Sequence, residues 1–199
     1  MSKTSTLVWP VATGLLVLTA LAAPPIAGEV ARNPDEALLK ALPSSKHSLS
    51  DGLQQVAQGA ETPISAKFEL EDGKLSLSVY TAEKGLGVEA EQNVLKEYAG
   101  SPEAAAWKTE VETFKDVEHV ARASEQLTLM ALSSSTLADV LKKVGKDHPG
   151  TVYSIAPTLR DRKAVLAVLI ADQGKSTEVL CDVLTGEVAK PREAGAPKK

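Results

Sequence analysis

The hydrophobic pattern of this chain occurs twice. Leu49, Leu53 and Val56 stand at helical spacing and are followed by stretches in which apolar and polar residues alternate, as in half-buried strands. The segment 48–56 returns 88 positions later as residues 136–144, and the charged turn at 71–74 returns 89 positions later at 160–163. Two matches in the same order at nearly the same shift indicate an internal repeat.

Each copy is predicted to contain one helix followed by three strands. In the first copy, a helix capped by Ser48 precedes strands at 64–71, 75–80 and 86–93, with an Asp-Gly turn between the first two. In the second copy, a helix over 137–144 precedes strands at 153–159, 164–171 and 178–188. The pattern therefore predicts an α+β protein with repeats at 45–98 and 134–190, each a helix packed on a three-stranded antiparallel sheet.

The two copies are predicted to be joined by an amphipathic helix within residues 101–130. Trp107, Val111, Phe114, Val117 and Ala121 recur at steps of three and four and form one apolar stripe. This helix is interpreted as a packing arm across the sheets or, alternatively, as a partner-binding helix. Residues 191–199 are rich in Pro, Ala and Lys, which predicts a disordered tail.

The predicted strand 164–171 is apolar on both faces, whereas its counterpart in the first copy alternates. One helix covers only one face of a small sheet, so the other face of this strand needs a second cover. That cover is the first copy, the intervening helix or a second protein. The last alternative predicts a homodimer formed through this strand.

Residues 1–28 have the pattern of a secretory signal peptide. Lys3 precedes an uncharged apolar run over 7–23, which ends in a stretch of small residues. This pattern predicts export to the periplasm or cell envelope, or secretion, and membrane attachment only if the segment stays uncleaved. The single cysteine excludes an internal disulfide, and a net charge of −4 argues against nucleic acid as the main partner.

The search for catalytic chemistry in the sequence finds no site. His47, His119 and His148 are too far apart in the chain for the short spacing of a metal motif. Ser48 is explained as a helix cap, and Cys181 is interpreted as a small buried residue of the closing strand. We therefore expect no enzyme activity, no metal and no cofactor.

The end of the second copy resembles the closing strand of the PepSY domain family. The family pattern is a hydrophobic run, then an Asp, then Thr-Gly and a charged residue before Val, and Asp182, Thr185, Gly186, Glu187 and Val188 match it one by one. The first copy departs from the pattern, because residues 91–93 are Glu-Gln-Asn without the Thr-Gly pair. The resemblance implies small α+β domains of exported and envelope proteins, some of which hold or inhibit peptidases.

Two functions are predicted from these observations. The first is a non-catalytic binding module of the bacterial envelope that binds a protein or peptide, with a peptidase as one candidate partner. Its predicted partner-binding edge is the second strand of the first copy, at Lys74, Ser76, Ser78 and Tyr80. The alternative is a structural or assembly protein that forms the homodimer through strand 164–171.

Overall fold

A computed structural model describes residues 36–189 of the chain. Its α-helices are α1 (Glu36–Ala41), α2 (Leu49–Gln58), α3 (Val117–Met130) and α4 (Leu137–Asp147). Its strands are β1 (Thr62–Glu71), β2 (Lys74–Ala82), β3 (Leu95–Gly100), β4 (Glu110–Thr113), β5 (Thr151–Arg160), β6 (Lys163–Asp172) and β7 (Lys175–Asp182). The predicted signal segment and the predicted disordered tail at 191–199 lie outside the described residues.

All seven strands belong to one antiparallel sheet with the order β4-β3-β2-β1-β5-β6-β7. The α+β class is thus confirmed, but the strands do not form two separate three-stranded sheets. The junction is the pairing of β1 with β5, where Ala66 lies opposite Ile155 and Lys67 lies opposite Ser154. Two half-sheets with free edges at β1 and β5 satisfy their backbone groups by pairing with each other.

Helices α2 and α4 contact each other and pack on the same face of the sheet. Both begin with a capping box, formed by Ser48 and Asp51 in α2 and by Thr136 and Asp139 in α4. Helix α2 approaches the sheet closely at Gly52, where a Cβ atom would stand 3.0 Å from the Leu77 side chain. The residues that these two helices bury are Leu49, Gly52, Leu53, Val56, Leu137, Val140, Leu141 and Val144.

Helix α3 crosses the opposite face of the sheet and contacts β1, β2, β3 and β5. Its Gln126 accepts a hydrogen bond from Ser65, and the neighbouring Ala66 points to the face that carries α2. A helix therefore does lie on the sheet between the two halves, but it packs through Ala123, Gln126, Leu127, Leu129 and Met130, not through the predicted stripe. It covers one face of the sheet that both halves build together.

The connecting helix is shorter than the predicted range 101–130. It begins only at Val117, because the Asp116 carboxylate accepts the backbone N–H of His119 and caps the helix there. Before it, Trp107 is buried and donates its Nε1–H to the Gly100 carbonyl, and β4 pairs with β3. The helical spacing from Trp107 to Val117 was misleading, since the Val117 side chain is 85% exposed.

The third strand of the first half lies later in the chain than predicted. Residues 86–93 form a loop with one short 3₁₀ segment, and β3 starts at Leu95. Asn93 holds this loop closed, because its side-chain amide donates to the Gly85 and Val88 carbonyls and its oxygen accepts the Lys84 N–H. A single polar side chain thus replaces the strand pairing expected for residues 86–93.

The strand predicted at 164–171 is confirmed as β6, which lies between β5 and β7. On one side, Leu166 and Val168 are fully buried in the main core. On the other side, Val165 and Ala167 are only 7% and 9% exposed. Both faces of this part of β6 are therefore covered within one chain, and no second copy is needed to bury them.

Candidate functional site

The predicted partner-binding edge belongs to β2, which lies between β1 and β3, and is an interior position for only part of its length. Ser78 and Tyr80 pair with Ala99 and Glu97 of β3, whereas Lys74 and Ser76 lie beyond the last β3 pair, Leu77 with Gly100. Lys74 is exposed, but Ser76 and Ser78 are 4% and 0% exposed, and the Ser78 hydroxyl donates to Glu69. The alternation of serine with apolar residues suggested a solvated face, and the short serines are instead buried beside the longer side chains of their neighbours.

Tyr80 also lies in the interior of this face. Its ring is 7% exposed and packs against Phe114, with 5.6 Å between the ring centroids. Burial raises the pKa of its phenol well above the usual value, and the nearby carboxylates of Glu97 and Glu69 raise it further. The phenol therefore remains protonated and uncharged.

The strands at the ends of the sheet in the described part of the chain are β4 and β7. Strand β4 spans only Glu110–Thr113, all four residues are exposed, and two of them are glutamates. Short, charged edge strands are a common protection against pairing with another chain. Strand β7 spans eight residues and is therefore the better candidate for binding an extended segment.

The backbone of β7 presents alternate residues to the outer side of the sheet. Ala189 donates its N–H to the Leu180 carbonyl, and Asp182 donates its N–H to the Glu187 carbonyl, so Leu180 and Asp182 point away from β6. By the alternation of an antiparallel strand, the N–H and C=O groups of Ser176 and Glu178 point outward as well. These groups have no backbone partner within residues 36–189.

The side chains of the same two residues hold β7 against the sheet. The Ser176 hydroxyl lies 2.7 Å from the hydroxyl of the buried Tyr153, and Glu178 accepts a 3.4 Å hydrogen bond from Arg160. Both partners are on β5, two strands away. Because these two side chains are already held in place, less conformational entropy is lost when the outer edge of β7 binds a partner strand.

A small pocket lies beside this edge. It is lined by His148, Pro149, Ile170, Asp172 and Thr177. Thr177 is the β7 residue between the two outward-facing positions, and His148 ends helix α4. Strand addition commonly combines an open backbone edge with pockets for alternate side chains, and both features occur here.

The residues of the PepSY-like motif form one turn after β7. The Asp182 carboxylate accepts the N–H and the hydroxyl of Thr185 at 3.0 and 3.2 Å, and Gly186 has φ of +66°. Glu187 forms a 3.2 Å ion pair with Lys143 of α4, and Val188 forms a bridge with Cys181. The turn returns the chain along the end of β7, and within residues 36–189 no segment pairs with the outer side of β7 before Leu180.

The side chains of His47, Ser48 and Cys181 are held by contacts within the fold. Ser48 exchanges hydrogen bonds with Asp51 in the capping box, while the His47 ring lies 3.0 Å from the Ala104 carbonyl. Cys181 is fully buried, and burial raises its pKa to about 11, which keeps the thiol protonated. Within residues 36–189, no group of three or more His, Cys, Asp or Glu side chains is placed to hold a metal ion.

Sequence reasoning missed the outer edge of β7. The Asp182 to Val188 motif does not indicate this edge, because it turns the chain back along the outer side of β7 at Cys181 and Leu180. No spacing rule could give the pairing of β1 with β5, which makes these two strands interior and leaves β4 and β7 as the end strands of the described sheet. The pocket likewise depends on how α4 ends above β6 and β7.

The similarity of this chain to known proteins is slight. No family model matches the sequence, and no curated protein matches it. One solved structure, that of a candidate lipoprotein from Clostridium difficile 630, is similar to this chain with a TM-score of 0.38 and 12% identity. The alignment covers 73% of this chain and 92% of that one. A likeness of this size does not establish a shared function.

Proposed function

We propose that this protein is a non-catalytic binding module that holds an extended segment of a partner protein along the outer edge of β7. The observation that carries the proposal is the pair of outward-facing residues Ser176 and Glu178, whose backbone groups have no partner in the described chain while their side chains are fixed to Tyr153 and Arg160. A bound strand would satisfy those backbone groups, and its alternate side chains would meet the pocket at Thr177.

We infer that the two halves of the chain arose by duplication of one PepSY-like unit. Each half contains a capped helix followed by a bulged strand and a hairpin, and the bulges lie at Pro63/Ser65 in β1 and Val152/Ser154 in β5. These shared details support a duplication of one α+β unit. The second unit, which carries the Asp182 turn, is then the unit that binds the partner.

The proposed place of action is the cell envelope. The support is the signal-type pattern of residues 1–28, which lie outside the described part of the chain. In residues 36–189 no helix is both long and apolar enough to cross a membrane. A peptidase remains a candidate partner through the family resemblance, and inhibition would follow if the bound segment lay in or near its active site.

A homodimer through strand 164–171 is less well supported. Strand β6 is interior, so its backbone is paired on both sides, and Val165 and Ala167 are already buried in the single chain. A dimer would have to use the partly exposed Leu169 and its surroundings on this face. We therefore do not propose this assembly.

The experiment that tests the proposal is capture of partners from an envelope extract of the source organism with the tagged wild-type chain and three variants of it. Glu178→Pro removes the outward N–H of β7, whereas Glu178→Ala removes only the side chain and its contact with Arg160. Proline is tolerated at an edge position whose N–H faces outward. Quantitative mass spectrometry should find a protein that is retained by the wild type and by Glu178→Ala, and lost with Glu178→Pro.

Val111→Pro is the matched control on the opposite edge. The N–H of Phe114 bonds to Leu95, so by alternation Val111 presents its N–H outward from β4. We expect Val111→Pro to retain the partner. Equal retention by Glu178→Pro and the wild type, or loss with Val111→Pro alone, would refute the assignment to β7.

A further inference from the structure

A second cleft lies on the face of the sheet that α3 crosses, beside the pairing of β1 with β5. It is lined by Ser65, Lys67, Tyr80, Arg122, Gln126 and Ser154, together with two alanines. The strand residues come from both halves of the sheet and flank the pairing of β1 with β5. Helix α3 contributes the two long side chains of the opposite wall.

Gln126 lines this cleft, and within residues 36–189 only the oxygen of its side-chain amide has a hydrogen-bond partner. The residue is 9% exposed, and its Oε1 accepts a 2.7 Å hydrogen bond from the Ser65 hydroxyl. Its Nε2 has no hydrogen-bond partner among the described residues, and the side chain lines the cleft. This Nε2 is not among the buried polar atoms that lack a partner, so it is open to the cleft and can donate to water or to a ligand there.

The two charged side chains that line the cleft are both cations. Lys67 lies 5.5 Å from the centroid of the Tyr80 ring and pairs with Glu69 at 2.6 Å, and Arg122 pairs with Glu118 at 3.1 Å. Neither Glu69 nor Glu118 lines the cleft. An ammonium has three N–H donors and a guanidinium has five, so both cations keep donors for a ligand after these pairs are made.

We propose that this cleft binds a carboxylate group, with Arg122, Lys67 and the Gln126 Nε2 as its donors. A carboxylate accepts hydrogen bonds only, and each of these three groups donates. The carboxylate can belong to the end of a peptide chain or to a small organic acid, since the cleft contacts only the shared group. This site is separate from the β7 edge and does not depend on the proposed function.

The test is a titration of the ¹⁵N-labelled chain, followed by NMR at the side-chain resonances of Arg122 and Gln126. The probes are acetate, its neutral isostere acetamide, and an acetylated trialanine with either a free or an amidated carboxyl end. We expect saturable shifts with acetate and with the free peptide, and none with acetamide or the amidated peptide. A tighter complex with the peptide would identify a chain end as the ligand, and equal affinity would identify a small acid.

Two substitutions in the cleft and one outside it complete the design. Arg122→Gln and Gln126→Glu should each weaken acetate binding at least tenfold, the second because it places a carboxylate where the ligand would lie. Arg162→Gln, in the exposed β5–β6 turn, should bind like the wild type. Equal shifts with acetate and acetamide, no saturation, or unchanged affinity of Arg122→Gln would overturn the proposal.

Discussion

Ala66 of β1 pairs with Ile155 of β5, and the two residues are 89 positions apart, which is the shift at which the charged hairpin turns recur. A twofold rotation that exchanged the two halves would therefore leave this pair in place. The bulges Pro63/Ser65 and Val152/Ser154 lie at equivalent distances from it. Helix α1 precedes α2 as α3 precedes α4, and the chain after each helix makes the same turn, in which Ser45 bonds to the backbone of His47 and Ser133 to the backbone of Ser135.

Gly186 should be far more sensitive to substitution than Gly174. Both have positive φ, at +66° and +74°, but a Cβ at Gly186 would stand 2.6 Å from the Ser135 hydroxyl, whereas nothing lies within 4 Å at Gly174. Backbone strain alone costs on the order of 1 kcal/mol. We expect Gly174→Ala to lose about 1 kcal/mol of unfolding free energy and Gly186→Ala to lose distinctly more, measured by urea denaturation. Equal losses would mean that the turn does not pack on residue 135 as described.

The capping boxes should make stability depend on pH in the acidic range. Hydrogen bonds from Ser48 hold the pKa of Asp51 below its usual value of 3.8, and those from Thr136 do the same for Asp139. A pKa that is lower in the folded state gives stability that is present above the unfolded value and is lost as the pH falls through the folded one. We expect the double variant Ser48→Ala, Thr136→Ala to lose about 1 kcal/mol per cap at pH 7.

The pH dependence of the unfolding free energy tests whether the cap hydroxyls act by lowering the pKa values of Asp51 and Asp139. Urea unfolding of the wild type should weaken between pH 5 and pH 3. The double variant should weaken less over that range, because each carboxylate loses its hydroxyl donor and keeps only the backbone N–H. Parallel profiles of the two proteins would mean that the cap hydroxyls do not lower the pKa values of Asp51 and Asp139.

The two faces of β6 should respond differently to truncation. Leu166 is fully buried in the main core, while Leu169 is partly exposed on the other face. Leu166→Ala should cost about 3 kcal/mol of unfolding free energy, within the range of buried leucine truncations, and Leu169→Ala about 1 kcal/mol. Trp107, which is buried, provides the fluorescence signal for unfolding.

The same pair of variants addresses assembly. Sedimentation of the wild type should give the mass of one chain, with no change on Leu169→Asp. If the wild type instead has the mass of two chains and Leu169→Asp has the mass of one, the homodimer through strand 164–171 would be supported.

The sequence predicted the elements better than it predicted their arrangement. The spacing of Leu49, Leu53 and Val56 predicted α2, and the serine before it predicted the cap, because both signals are local. Residues 86–93 and 101–116 were predicted wrongly, since a loop closed by Asn93 and a buried Trp107 follow from contacts with distant residues. The same reason applies to the predicted edge: Ser78 and Tyr80 are interior because Ala99 and Glu97 of β3 pair beside them.

The measurement that tests the central claim most directly is hydrogen–deuterium exchange at the backbone amides of Ser176 and Glu178, with and without the captured partner. In the free protein these outward N–H groups should exchange quickly, because no acceptor in residues 36–189 protects them. The account predicts that the partner slows exchange at both amides and leaves Val111 and Thr113 of β4 unchanged. Protection that appears at β4 or elsewhere, while Ser176 and Glu178 exchange as before, would contradict it.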